Sequence, residues 1–338
     1  MLHLYNEFFK QYIMNVLVTG ANGFLGDHVV FELLKQKHSV RIIVRNTKNI
    51  NFDLDSVQVF KGNFDDYTTL KQAATGCEAI IHIAAVTSTN LLKYEDYSKI
   101  NVDGSSQVIN VVNELNIKRI VYISSANTIG FGNELQLADE RFIIEYPYTK
   151  SFYAKSKLAA EQLFIKASDS TDKHVVIINP TFIIGSYDSK PSSGKLILMG
   201  YKKSWMFVPR GGKNFVVVED VAIATCNALT MGKKGERYLA SGIGLSFKEF
   251  YTIQSQICGY NQKIFVLPDL ILKVVGRVGD FIRMFGIKTE LCSMNIRQLL
   301  IREFYSNKKA KEELELQETD IKFAIKKAVD WFKEHNMI

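Results

Sequence analysis

Tyr153 and Lys157 stand four residues apart in Tyr153-Ala154-Lys155-Ser156-Lys157, a spacing that puts both side chains on one face of a helix. A free phenol ionises near pH ~10, too high for proton exchange at neutrality, and a neighbouring ammonium favours its phenolate. The pair reads as a proton donor or acceptor, Tyr153, beside the charge that tunes it, Lys157. Upstream, Tyr122-Ile123-Ser124-Ser125-Ala126 ends an apolar run with two hydroxyls. Either serine suits a hydrogen bond to a reacting oxygen, and either equally suits a turn cap.

A second constellation lies near the start. Thr19-Gly20-Ala21-Asn22-Gly23-Phe24-Leu25-Gly26 separates the apolar run 16–18 from an amphipathic run carrying Leu25, Val29, Val30, Leu33 and Leu34. Strand, glycine-rich turn and helix in that order suit a dinucleotide. Gly20 permits the turn, Gly23 lets the backbone approach a pyrophosphate, Gly26 lets the helix pack closely, and the helix amino terminus offers free N–H groups. The candidate cofactor contacts in this loop are Gly20, Asn22, Gly23, Phe24, Leu25 and Gly26, and Lys157 would also reach the nicotinamide ribose. Sites for NAD usually end the second strand with an acid for the ribose 2′-OH. Here Val44-Arg45-Asn46 stands there, and Arg45 suits a 2′-phosphate. The expected cofactor is therefore NADP(H), with NAD(H) as the alternative.

These groups need a frame that brings strand ends together. Short apolar runs at 16–18, 40–44, 57–60, 79–83, 120–123 and 175–178 alternate with helical segments. That pattern predicts an α/β fold with a doubly wound parallel sheet, covered on both faces, its site at the carboxyl ends of the strands. After Pro180 the pattern loosens. Residues 184–214 read as loop plus short helix, 215–218 as a strand, 219–230 as a helix and 246–338 as mostly helical. The expected division is a leader or upstream start at 1–13, a dinucleotide-binding Rossmann domain at 14–180, and a smaller, mostly helical substrate lobe at 181–338, with elements at about 215–240 returning to the main sheet.

Composition narrows the function class. The 338 residues are 47% hydrophobic and 23% charged, with net charge +7, ordinary for a globular protein. The densest basic run, Lys308-Lys309-Ala310-Lys311, is followed at once by Glu312 and Glu313, so it reads as a solvated helix face and not a nucleic-acid site. The four cysteines form no CxxC pair and the six histidines no HExxH, so no metal site is expected. No secretory signal pattern is found, and the apolar segment 267–287 carries Pro268, Lys273, Arg277, Asp280 and Arg283, which rules it out as a membrane span. The expectation is a cytoplasmic protein, monomer or homodimer, with a small-molecule partner. Its helix at about 269–285 either closes the substrate lobe or touches a membrane surface.

TGANGFLG, HIAA at 82–85, NVDGS at 101–105, YISSA, YAKSK and Asn179-Pro180 follow one another in this chain. In that order they resemble the extended short-chain dehydrogenase/reductases, within the NAD-dependent epimerase/dehydratase superfamily, from Asn15 nearly to the end. The pattern at 40–45 and Asn179-Pro180-Thr181 look most like the dihydroflavonol-4-reductase-like branch. The resemblance implies Ser125 as the catalytic serine beside Tyr153 and Lys157. It also implies Asn63 and Phe64 near the adenine, Ala84 and Ala85 near the ribose and pyrophosphate, and Pro180 near the nicotinamide. Two departures matter. Gly130 stands where plant members carry a flavonoid-contacting Asn. Asn214 stands where nucleotide-sugar epimerases usually carry an Arg for the diphosphate, with Lys213 beside it and Arg210 in a nearby turn.

Three functions compete. The first is an NADP(H)-dependent reductase of a small, apolar ketone or aldehyde, with Tyr153 as proton donor and Phe182, Trp205, Met206 and Phe207 available to the substrate or to the core. The second is a nucleotide-sugar epimerase or dehydratase with tightly bound NAD(P). The third is a non-catalytic dinucleotide sensor, which the intact Ser, Tyr and Lys disfavour.

Overall fold

The computed structural model describes residues 13–338. The expected leader, 1–13, lies outside the described residues except for Ile13. Strands run in chain order as β1 (Asn15–Thr19), β2 (Ser39–Val44), β3 (Gln58–Lys61), β4 (Ala79–His82), β5 (Arg119–Ile123), β6 (His174–Pro180), β7 (Phe182–Ile184), β8 (Trp205–Val208), β9 (Gly212–Val217), β10 (Arg237–Ala240), β11 (Ile243–Ser246) and β12 (Lys263–Val266). The helices are α1 (Phe24–Lys35), α2 (Tyr67–Ala74), α3 (Glu95–Ser98), α4 (Gly104–Glu114), α5 (Phe152–Ser170), α6 (Lys195–Gly200), α7 (Val218–Asn227), α8 (Phe247–Cys258), α9 (Asp269–Met284), α10 (Ser293–Leu299), α11 (Lys308–Leu314) and α12 (Ile321–Glu334).

The seven-stranded sheet has the order β10-β6-β5-β4-β1-β2-β3, and every pairing is parallel. Its strands are apolar because both faces are covered. In β1, Val16 and Val18 face the core under α1 and α7, while Leu17 faces the core under α2, α4 and α5. The chain winds outward from β1 to β3, then returns to place β4 on the other side of β1. That reversal leaves a crevice at the carboxyl ends of β1 and β4, where ligands of such sheets bind.

The second lobe is less helical than its sequence suggests. A three-stranded sheet, β11-β9-β7, and a two-stranded one, β12-β8, accompany α6, α8, α9, α10 and α12. Of the elements expected to return to the main sheet, β10 does so beside β6, and α7 packs on α1. The strand at 212–217 does not. The slot beside β6 belongs to β10, and β9 instead pairs with β7 and β11. Its Phe215 and Val217 fill the lobe core while Val216 reaches the main one, so β9 is the seam between the two.

Candidate active site

The glycine-rich turn is built as its spacing requires. Gly20 has φ +77°, in the left-handed region, and a Cβ there would stand 2.7 Å from the Ala84 backbone nitrogen. At Gly26 a Cβ would stand 2.0 Å from the Gly20 carbonyl oxygen, so α1 can approach the turn this closely only with glycine. Gly23 is the N-cap of α1 and brings no side-chain cap, leaving the first-turn N–H groups to an anion. Asn22 donates through Nδ2 to the Asn46 carbonyl at 3.2 Å, tying the turn to the end of β2. Arg45 sits there, exposed, with no acidic partner within salt-bridge distance among the described residues.

Beneath the crevice, β1 and β4 are joined by His82. Ser105 Oγ donates to the Asn101 carbonyl at 2.7 Å and lies 3.1 Å from His82 Nε2; Thr19 Oγ1 lies 2.7 Å from His82 Nδ1. With the serine proton committed to Asn101, the ring is Nε2–H, donating to Ser105 and accepting from Thr19. Thr19 Oγ1 in turn accepts from the Ile83 and Ala84 amides, each at 3.3 Å. Burial, and then the Lys157 charge, push His82 down to about 3, so it stays neutral and holds Ala84 against Gly20. Asn63 is exposed just beyond β3, and the Phe64 ring packs on His82 at 5.3 Å between centroids.

Ser151 caps α5, accepting from the Ala154 amide, and so starts the helix two residues before Tyr153. Tyr153 is half-buried and Lys157, one turn on, is buried. Lys157 Nζ donates to the Ile123 carbonyl at 2.6 Å and lies 4.3 Å from the centre of the Tyr122 ring. Burial holds its ammonium down to about 7, the Glu161 charge opposing this. Burial raises the Tyr153 phenol above its ordinary value, and the group that opposes this is the Ser125 hydroxyl hydrogen-bonded to it.

The two candidate serines part company. Ser124 Oγ donates to Glu161 Oε2 at 2.5 Å, whereas Ser125, at the end of β5, stands against Tyr153. Glu161 had no place among the sequence candidates. Fully buried one turn beyond Lys157, it also accepts from Thr128 Oγ1 at 2.9 Å, Asn179 Nδ2 at 2.8 Å and Arg237 Nη1 at 3.2 Å. Asn179 Nδ2 also reaches the Ser125 carbonyl at 3.2 Å, next to buried Pro180. The available signal was an acid at the i+4 and i+8 positions of the Tyr-Lys face.

The cations near the Asn214 strand are occupied. Asn214 is buried and exchanges hydrogen bonds with the backbone of Gly242, at 3.1 and 2.9 Å. Lys213 pairs with Glu303, which also accepts from the buried Tyr148 hydroxyl. Arg210 pairs with Asp269 at 3.1 Å. At Gly130 a Cβ would stand 2.4 Å from the Ile143 carbonyl oxygen, so that position has no room for a substrate-contacting side chain. Of the apolar candidates, Met206 is core and Phe182 packs edge-on to Phe215, but Trp205 and Phe207 face outward.

The model of the NAD dependent epimerase/dehydratase family matches residues 16–241. A Synechocystis protein provisionally named a dihydroflavonol 4-reductase is 29% identical, with 95% of each chain covered. Sterol demethylase protein B of Methylococcus capsulatus is 27% identical over 96% of this chain and all of its own. Among solved structures, that of gox2253 superposes with a TM-score of 0.82 at 27% identity, covering 96% of this chain and 99% of that one.

Proposed function

Since this chain belongs to the NAD-dependent epimerase/dehydratase family and is an enzyme of the extended short-chain dehydrogenase/reductase type, we propose that it reduces the carbonyl group of a small, apolar ketone or aldehyde with NADPH, in the cytoplasm. The observation that carries this reading is the loss of the diphosphate grip. A diphosphate calls for concentrated positive charge, best met by an arginine fork. Asn214 is uncharged and spent on Gly242, Lys213 is spent on Glu303 and Arg210 on Asp269. A carbonyl substrate without a nucleotide needs none of them. The free cysteines among the described residues agree with a reducing compartment.

The residues present fit a nicotinamide dinucleotide. The uncapped amino terminus of α1 suits the pyrophosphate, and Arg45 at the end of β2, without an acidic partner among the described residues, suits a 2′-phosphate. When bound, the nicotinamide supplies the hydride. In our reading Tyr153 holds a proton at its phenolic oxygen and gives it to the carbonyl oxygen, which Ser125 meets with a hydrogen bond. Lys157 supports the ribose hydroxyls and the charge left on Tyr153.

Two measurements test this. Incubation with UDP-, GDP- and dTDP-sugars should give no isomerisation, while NADPH with apolar carbonyls should be oxidised. Rapid sugar isomerisation without net cofactor oxidation, and no carbonyl reduction, would replace this reading with the epimerase one. Separately, Arg45→Asp should weaken NADPH and relatively favour NADH, because a carboxylate repels a 2′-phosphate and accepts a 2′-OH. With about 1.4 kcal/mol per tenfold, loss of one charge-assisted contact, worth about 1.5–3 kcal/mol, predicts a shift of at least about tenfold in the ratio of dissociation constants. An unchanged ratio removes Arg45 from the site.

A further inference from the structure

We propose that α9 is a docking face for the surface of a membrane containing anionic lipid. The proposal concerns where the enzyme sits and holds whichever substrate it turns over.

The helix is packed inside out. Leu270, Val274, Val278, Phe281 and Phe285 form one stripe at helical spacing, and all are exposed, from 50% at Val274 to 73% at Leu270. The side turned to the protein carries Leu272, Gly276 and Gly279. A Cβ at Gly276 would stand 2.9 Å from Ser293, and one at Gly279 1.5 Å from the Leu291 carbonyl oxygen. The glycines thus seat the helix against the 291–293 segment, so the stripe cannot turn inward without losing that fit. The adjoining strand β12 adds a ladder, with Phe265 stacked between exposed Trp205 at 5.5 Å and Phe207 at 5.7 Å.

Charge selects the occupant. Lys273 and Arg277 lie at one edge of the stripe, with Lys263 and Lys288 before and after the helix; all four are exposed, and none has an acidic partner within salt-bridge distance among the described residues. The acids of α9 are engaged elsewhere, Asp269 by Arg210 and Asp280 by the Ser293 amide. An apolar stripe edged by free cations matches helices that lie in the headgroup region and are held by anionic lipid. A second copy on this face would bring the same cations against themselves, since a two-fold interface is self-complementary. Among the described residues no helix is long and apolar enough to cross a membrane, so the contact is peripheral.

Docking would also orient the crevice. Arg283 donates to the Leu91 carbonyl at 2.7 Å and Asn295 to that of Thr89 at 3.1 Å. The base of α9 is therefore pinned to the segment that follows Ala84 and Ala85.

The test is co-sedimentation of the full chain with vesicles of phosphatidylcholine alone or mixed with phosphatidylglycerol. Binding is expected to the mixed vesicles and to weaken with salt. Two double variants should each lower the partition coefficient at least about tenfold, one by losing about fivefold per basic residue near such a surface and the other by losing the burial of two aromatic rings among the lipids. They are Phe281→Ser with Phe285→Ser, and Lys273→Glu with Arg277→Glu. Cofactor affinity, which these exposed positions do not touch, should be unchanged in both. Three results would overturn the proposal: no binding to the mixed vesicles at low salt, undiminished binding by both variants, or a wild-type dimer by light scattering that the serine variant converts to monomer.

Discussion

Tyr153→Phe is expected to lower turnover by about two orders of magnitude or more, because a positioned proton donor contributes about 10²–10⁴-fold, while leaving the fold and cofactor affinity in place. The substitution removes one hydroxyl from a half-buried ring and almost no volume. The Ser125 hydroxyl loses its partner but keeps the Asn127 amide, which it accepts at 3.2 Å. Steady-state turnover and a cofactor titration separate the two effects. Full activity in the variant would mean that the Tyr-x-x-x-Lys spacing is accidental and that another group moves the proton.

Glu161→Ala is expected to cost about 3–5 kcal/mol of stability, the range for removing one partner of a buried ion pair. Its carboxylate is the shared acceptor for Ser124, Thr128, Asn179 and Arg237. Removing it strands a guanidinium and several polar groups in a place with 0% exposure at the carboxylate itself. Glu161→Gln keeps the volume but presents an amide N–H₂ to groups that already donate, so it should recover only part of the loss. Denaturant melts of the three proteins are the check. A loss below about 1 kcal/mol in the alanine variant would show that these donors find other acceptors.

The parts of the site that were legible in the sequence are those whose chemistry is contained in a few consecutive residues. The glycine turn fixes its own backbone, and Tyr153 and Lys157 share a helix face by spacing alone. Ser125 could not be told from Ser124 by residue type. The difference lies in Glu161, which engages Ser124 from another element. Glu161 itself was invisible as a hub because its partners come from the end of β5, from β6 and from β10, the last 76 residues away. The lobe was harder to read for a related reason. Trp205–Val208 is four apolar residues, of which two face outward, so no period of two in hydrophobicity marks it as a strand. Its partner, β12, lies more than fifty residues on, with Phe265 opposite Phe207. Pairing at that separation leaves no local trace.

The place of β10 has a consequence for how the chain is made. A ribosome emits the protein from one end, and by residue 180 the first six strands of the main sheet are out. Arg237, which neutralises Glu161 and donates also to the Glu140 carbonyl, has yet to be synthesised. Until β7 to β9 have formed and the chain has come back, Glu161 on α5 lacks its arginine partner and β6 has an open edge. The nascent sheet therefore closes late, and an arrest after residue 180 would leave a species with an exposed strand edge and a buried carboxylate, the combination that invites edge-to-edge association and quality-control capture.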